Sequence, residues 1–170
     1  MDSLKMIGEP APDLSFPDLV GRPHRLSDFR RRIVVVNFWA AKCSHVARVD
    51  QILSGLMQTW GDKVVWLSIA CNPKESIELI RETAAQRGLP WVLLDRNQKA
   101  VELYGAITTP HLFVIDKSGT IRYSGAVDDV TYRQPFATHH YLREAIEALM
   151  NGVEPNPDKT APYGCNIVRV

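Results

Sequence analysis

The stretch that decides the fold is residues 33–46, which read IVVVNFWAAKCSHV. Apart from Asn37, its first seven residues are apolar, a pattern typical of a strand that is covered on both faces in a parallel sheet. The apolar residues that follow repeat with the period of an α-helix, up to a plausible stop at Gly61. The stretch therefore predicts a buried strand that leads directly into a long helix, with Cys43 at the junction.

Outward from this junction the chain alternates strands and helices. A second buried strand is predicted over 64–70, followed by a helix that starts with Asn72 as N-cap, Pro73 first and Glu75 third, and ends at Gly88. The remaining predicted elements are a strand over 91–94, a helix over 98–104, strands over 112–115 and 121–124 joined by a hairpin turn, and a last helix capped by Thr138 and ending at Gly152. This order predicts an α/β fold with a central mixed sheet flanked by helices.

The two ends of the chain are rich in proline. Residues 7–29 contain four prolines, Pro10, Pro12, Pro17 and Pro23, together with Gly21, and they predict an extended or hairpin-like N-terminal extension. Residues 153–170 also carry three prolines, and we expect an irregular, mobile C-terminal tail. The length of 170 residues suits one domain, 1–170, that includes this tail.

Composition narrows the class of protein. The formal net charge is +1, which is too small to predict electrostatic binding to nucleic acid or to an anionic membrane. No apolar run approaches the roughly 20 residues that cross a bilayer. The first ten residues lack the apolar segment of a secretory signal, so we expect a cytoplasmic, reducing location. Three scattered cysteines do not make a disulfide scaffold or a zinc site, and no metal or cofactor is predicted.

Cys43 is the candidate nucleophile. A thiol at the start of a helix faces unpaired backbone N–H groups and the positive end of the helix dipole. Both favour the thiolate, which is the reactive form, and Lys42 and His45 could add positive charge nearby. The alternative for Cys43 is a structural role, in which its side chain only packs at the start of the helix. The alternative for His45 is an exposed histidine in the first helical turn with no effect on the thiol.

The chain resembles thioredoxin-like redoxins of the AhpC/TSA type. The resemblance rests on Phe38-Trp39-Ala40 with Cys43 three residues later, on the lead-in 8–13, and on Thr108-Thr109-Pro110 before a strand. The segment 124–129 and the Gly164-Cys165 pair resemble a bacterial subgroup of these redoxins. The resemblance covers nearly the whole chain and implies a thioredoxin fold.

By this resemblance, Thr109 and Pro110 form a cis-proline loop beside Cys43. In the family the backbone of this loop pairs with an extended peptide substrate, so Thr109, Pro110 and Trp39 are expected to bind substrate here. A cis bond before proline costs only about 0.5–1 kcal/mol, which makes such a loop feasible. The alternative is an ordinary trans proline at the start of a strand.

Three positions depart from the family pattern. Val46 replaces the usual second cysteine, so no disulfide can form within residues 43–46. Asn37 stands where the family has a buried acid, and an amide cannot accept a proton as a carboxylate can. Ala40 lacks the hydroxyl that orients peroxide in peroxiredoxins, which argues against peroxidase chemistry.

Another thiol would then have to resolve a mixed disulfide on Cys43. Cys165 is the main candidate, because the resembling subgroup repeats a Gly-Cys near its end and a mobile tail closes a long loop at modest entropic cost. The alternative is that Cys165 is a free thiol or only packs against its neighbours. The distance between the Cα atoms of Cys43 and Cys165 would decide, because a disulfide needs them within about 7 Å. Cys71 closes a buried strand and is interpreted as structural.

The sequence thus predicts a thiol–disulfide oxidoreductase. Its expected partners are a protein or small-molecule disulfide and an external thiol reductant. Two alternatives stay open: a one-cysteine peroxidase with an antioxidant role, and a non-catalytic binding module or redox sensor.

Overall fold

The computed structural model describes residues 6–170, so the first five residues of the predicted domain lie outside the described part. Strands within it are β1 (Ser15–Pro17), β2 (Pro23–Arg25), β3 (Ile33–Trp39), β4 (Val64–Ala70), β5 (Val92–Leu94), β6 (Thr108–Thr109), β7 (His111–Ile115), β8 (Ile121–Gly125) and β9 (Cys165–Asn166). Helices within it are α1 (Ser44–Trp60), α2 (Ile77–Arg87), α3 (Lys99–Tyr104) and α4 (Tyr141–Met150).

The central sheet has the order β5-β4-β3-β7-β8. Strands β4 and β5 run parallel to β3, whereas β7 is antiparallel to it and β8 is antiparallel to β7. All seven residues of β3 and of β4 are buried, as expected for strands in the middle of a layered fold. The predicted α/β class with a mixed central sheet flanked by helices is confirmed.

Alternate residues of β3 face two separate cores. One core combines Val34, Val36 and Phe38 with α3 and with the N-terminal extension, where β1 and β2 form the predicted hairpin. The other combines Ile33 and Val35 with apolar residues of α1 and α4. Both faces of the sheet are therefore covered, and the carboxyl end of β3 leads into the start of α1. Among the described residues, no helix is long and apolar enough to cross a membrane.

Two predicted helix starts are wrong. Helix α2 begins after Ser76, whose hydroxyl accepts from Leu79 N–H at 3.1 Å, and not at Asn72. The Asn72 side chain instead accepts from Lys74 N–H at 3.0 Å, which makes a local turn. Thr138 does not cap α4, because its hydroxyl and its N–H both donate to the Asp129 carboxylate and the helix begins at Tyr141.

The C-terminal tail is irregular as predicted, but it is bound to the domain along its length. Thr160 N–H donates to Ser124 O at 3.0 Å, and the Thr160 hydroxyl accepts from Ala126 N–H at 3.0 Å. Strand β9 pairs with β6, and the amide of Gln98 contacts the last residues of the chain. In this disulfide-bonded state the tail is docked, because backbone and side-chain hydrogen bonds anchor it on both sides of β9; its mobility in the reduced state stays a prediction.

Candidate active site

Cys43 is the N-cap residue of α1, as the sequence predicts. Its backbone is extended (φ −80°, ψ 120°), and its carbonyl accepts from Ala47 N–H at 3.1 Å. The residue is only 5% exposed. Its sulfur is therefore held at the amide end of a 17-residue helix, where negative charge is stabilised.

The sulfur of Cys43 is bonded to that of Cys165, 122 residues later in the chain. The two Cα atoms are 6.3 Å apart, inside the range that a disulfide spans. The alternative of a free Cys165 is thereby excluded for this state. Cys165 is half-buried, whereas Cys43 is buried, so solvent reaches the disulfide mainly from the Cys165 side.

The Thr109–Pro110 peptide is cis and lies against the disulfide, as the resemblance to redoxins implies. The Thr109 carbonyl oxygen is 3.1 Å from Cys43 Sγ. The backbone of Thr109 pairs with Cys165, and that of Thr108 pairs with Asn166. The backbone edge that the resemblance assigns to substrate is therefore occupied by the tail of the same chain.

Trp39 does not have the predicted place at the substrate surface. Its indole is 0% exposed, and its Nε1–H donates to Asp50 Oδ2 at 2.8 Å. Arg87 donates to the same oxygen at 2.9 Å. Burial raises the pKa of Asp50, while these two donors lower it. Trp39 is therefore a core residue that ties β3 to α1 and cannot contact a substrate in this state.

Lys42 and His45 lie close to Cys43 in sequence, but among the described residues neither side chain forms a hydrogen bond with its sulfur. Lys42 is exposed, and within residues 6–170 its side chain has no hydrogen bond or ion pair. The His45 ring packs edge-on against Tyr163 of the tail, with 5.0 Å between ring centroids. Their predicted effect on the Cys43 thiolate stays a prediction.

Glu75 is a site residue that the sequence did not single out. Its carboxylate accepts from Ala41 N–H at 2.8 Å and from Lys42 N–H at 2.9 Å, and the side chain is 4% exposed. It therefore holds the loop that delivers Cys43 to the helix. The pattern around it resembles a helix start, so no local signal marked it as a partner of residues 41 and 42.

A cavity of about 190 Å³ lies next to the disulfide. It is bounded by Ala40 and Glu75 on the domain side and by Asn166 and Val168 on the tail side. The tail thus forms one wall of the space beside Cys43.

Cys71 is outside this redox pair. It is 1% exposed and is the free cysteine among the described residues. Burial, reinforced by the charge of Asp95, raises the pKa of the Cys71 thiol to about 12. Its interpretation as a structural residue agrees with this environment, because a thiol that does not ionise is a poor nucleophile.

Comparison with known proteins shows that most of the chain is similar to the AhpC/TSA family of redoxins. The model of the AhpC/TSA family matches residues 7–124. A relative named thiol-disulfide oxidoreductase ResA, from Geobacillus thermodenitrificans, is 32% identical over 117 residues, which are 68% of this chain and 67% of that protein. The ResA protein of Bacillus anthracis is 31% identical over 122 residues, which cover 71% and 70% of the two chains.

Solved structures support the fold over a longer range. A hypothetical protein of Sinorhizobium meliloti 1021 superposes with a TM-score of 0.87 at 25% identity, covering 96% of this chain and 94% of its own. The thioredoxin domain of a thiol-disulfide oxidoreductase from Bacteroides vulgatus gives a TM-score of 0.63 at 22% identity, covering 76% and 91%. The central sheet and its helices therefore form a thioredoxin-like fold.

Proposed function

The chain belongs to the AhpC/TSA family, and from that premise we propose that Cys43 and Cys165 form the dithiol of its redox cycle. The chain is a thiol–disulfide oxidoreductase, and its substrates are accordingly protein disulfides. The observation that carries the proposal is the Cys43–Cys165 bond. The family's usual second cysteine is replaced by Val46, and Cys165 provides the second thiol in its place.

The cycle begins with the reduced dithiol. The Cys43 thiolate attacks one sulfur of a substrate disulfide, and the other substrate sulfur leaves as a thiolate with the electron pair. The Cys165 thiolate then attacks Cys43 Sγ, which releases the second substrate thiolate and forms the bond seen here. The substrate gains two electrons, and the Cys43–Cys165 pair loses two.

An external thiol reductant restores the dithiol. Its first thiolate attacks the disulfide, and we infer that it enters at Cys165, because Cys165 is half-buried while Cys43 is 5% exposed. Cys43 then leaves as a thiolate at the start of α1, where the helix dipole stabilises it. A second thiol of the reductant completes the reduction and leaves the reductant as a disulfide.

The site is less suited to peroxide. Glu75 occupies the amides of Ala41 and Lys42, and Ala40 has no hydroxyl, so the loop before Cys43 offers few donors to a peroxide oxygen. An antioxidant role through peroxide reduction stays a prediction, which peroxide consumption by the reduced protein would test. The cytoplasmic location also stays a prediction; in a reducing compartment the disulfide would be transient.

Turnover with a disulfide substrate tests the dithiol. The protein is mixed with a protein disulfide and a thiol reductant, and free substrate thiols are followed. Cys43→Ser is expected to abolish turnover. In a parallel reaction of reduced Cys165→Ser with the protein disulfide and no added reductant, one mixed disulfide per chain is expected to accumulate at Cys43, detected by mass spectrometry.

Cys71→Ala is the matched control, because the Cys71 thiol does not take part in the cycle and the variant is expected to keep turnover. Full turnover by Cys165→Ser would overturn the role of Cys165. Full turnover by Cys43→Ser would overturn the proposed cycle.

A further inference from the structure

The tail contacts the cis-proline loop as an extended peptide would. Strand β9 pairs with β6 in antiparallel register, and beyond it Ile167 N–H donates to Ile107 O at 3.2 Å. Main-chain pairing of this kind provides affinity at a strand edge, while side-chain fit provides specificity. The residues of the tail therefore show how much room this edge leaves at each position of a strand bound to it.

Gly164, directly before Cys165, has the tightest fit. A Cβ atom there would overlap the Thr109 carbonyl oxygen, and it would lie 2.7 Å from the Thr109 carbonyl carbon and 2.8 Å from Pro110 Cδ. Its φ is not among the positive values found at eight other glycines, so backbone torsion does not require glycine here. Glycine is needed at 164 because the cis-proline loop leaves no room for a side chain.

The following positions are more permissive. Asn166 is exposed, and Ile167 is partly buried against the apolar core below the sheet. The cysteine and the residue before it are thus fitted closely, whereas Asn166 is exposed at the edge of the cavity beside the disulfide.

We propose that the external substrate is an extended peptide disulfide with a glycine directly before its reactive cysteine, bound at Thr108–Thr109 in place of the tail. This inference rests on the proposed function, because it concerns the peptide that Cys43 attacks. After reduction of the disulfide only non-covalent bonds hold the tail, so tail and substrate compete for one edge. Return of the tail then brings Cys165 to Cys43 and displaces the substrate strand.

The test uses the full chain carrying Cys165→Ser and two peptides. One has the tail sequence APYGCNIV and the other is APYACNIV, each with its cysteine in a mixed disulfide with thionitrobenzoate. The Cys43 thiolate attacks the peptide sulfur, a Cys43–peptide disulfide forms, and thionitrobenzoate leaves as a coloured thiolate that is measured directly. Mass spectrometry identifies the protein–peptide adduct.

The glycine peptide is expected to react about tenfold faster or more, because a Cβ in a closely packed position costs enough for that ratio. Reaction with a small free dithiol corrects for the intrinsic reactivity of each peptide. Equal corrected rates would overturn the glycine requirement and leave the oxidoreductase cycle intact. Failure of both peptides and of small disulfides to react with Cys43 would overturn the proposed function itself.

A second arm keeps Cys165 and changes the tail. In Gly164→Ala the equilibrium between dithiol and Cys43–Cys165 disulfide, measured in a glutathione redox buffer, is expected to shift about tenfold or more toward the dithiol. Gly55→Ala is the matched control, since nothing lies within 4 Å of a Cβ at Gly55 and no shift is expected there. An unchanged equilibrium in Gly164→Ala would also overturn the proposal.

Discussion

Two buried cysteines near the end of parallel strands have different chemistry because of their immediate surroundings. Cys43 follows β3, caps α1 and bonds to Cys165. Cys71 follows β4, and burial raises the pKa of its thiol to about 12. Burial alone does not separate them, since both are 5% exposed or less. The helix start and the second thiol make Cys43 the reactive one.

His111 is a second residue whose environment has a measurable consequence. Its ring is buried, its Nδ1 accepts from Ile107 N–H at 3.3 Å, and its Nε2 lies 3.2 Å from the Ser124 hydroxyl. Burial, helped by the charge of Lys159, lowers the pKa of His111 from 6.5 to about 4. The folded protein therefore keeps this ring neutral well into the acidic range.

Stability is expected to fall as the pH falls from about 6.5 to about 4, because only the unfolded chain binds a proton at His111 in that window. The effect at this residue is on the order of 3 kcal/mol. Urea unfolding of the wild type and of His111→Gln across this window measures it. The variant should show a shallower decline, and identical slopes would contradict the prediction.

At the scale of elements, Glu75 joins two segments that carry the site. The turn after β4 places its carboxylate under the loop between β3 and α1, and α2 begins only after this turn is complete. An Asn-Pro-Lys-Glu sequence fits both a helix start and an Asx turn. The structure has the Asx turn, and in that conformation the Glu75 carboxylate accepts from the backbone N–H groups of residues 41 and 42.

Glu75→Ala is expected to lower the free energy of unfolding by about 2 kcal/mol or more, because it leaves two backbone N–H groups without their acceptor. Glu75→Gln keeps an acceptor oxygen and should lose less. Urea unfolding measures both variants. Glu82→Ala, at an exposed position of α2, is the control and should change stability by no more than about 0.5 kcal/mol. An equal loss in Glu75→Ala and Glu82→Ala would count against this role.

At the scale of the whole molecule, the disulfide closes a loop over a sequence separation of 122 residues. The tail crosses from Thr160 beside β8 to the amide of Gln98 at the start of α3, and it passes the cis-proline loop on the way. The disulfide therefore joins the start of the first helix to a tail that contacts both β8 and the start of α3.

The oxidised protein is expected to be more stable than the reduced protein by about 2–4 kcal/mol, because the cross-link restricts the unfolded chain. Urea unfolding with and without reductant measures the difference. Cys165→Ser is the control, since it cannot form the bond and should respond little to reductant. Equal stability of oxidised and reduced wild type would contradict the prediction.

Local sequence determined the parts of this protein that depend on near neighbours. The buried run over 33–39, the helical period after it and the position of Cys43 between them all follow from residues a few places apart. The hairpin between β7 and β8 and the end of α2 at Gly88 follow in the same way. Periodicity and turn residues act within one element, so they can be read without knowing how elements pack.

Only the tertiary structure decided the contacts between distant residues. The burial of Trp39 against Asp50, the reach of Glu75 to the loop before Cys43 and the docking of the tail at Thr109 join residues from 11 to more than 50 positions apart. No local pattern marks these pairs, because each depends on where the packed sheet and helices bring the chain back. The second thiol of the site is determined at that level, since a Gly-Cys pair in a proline-rich tail becomes part of the site only once the tail is docked.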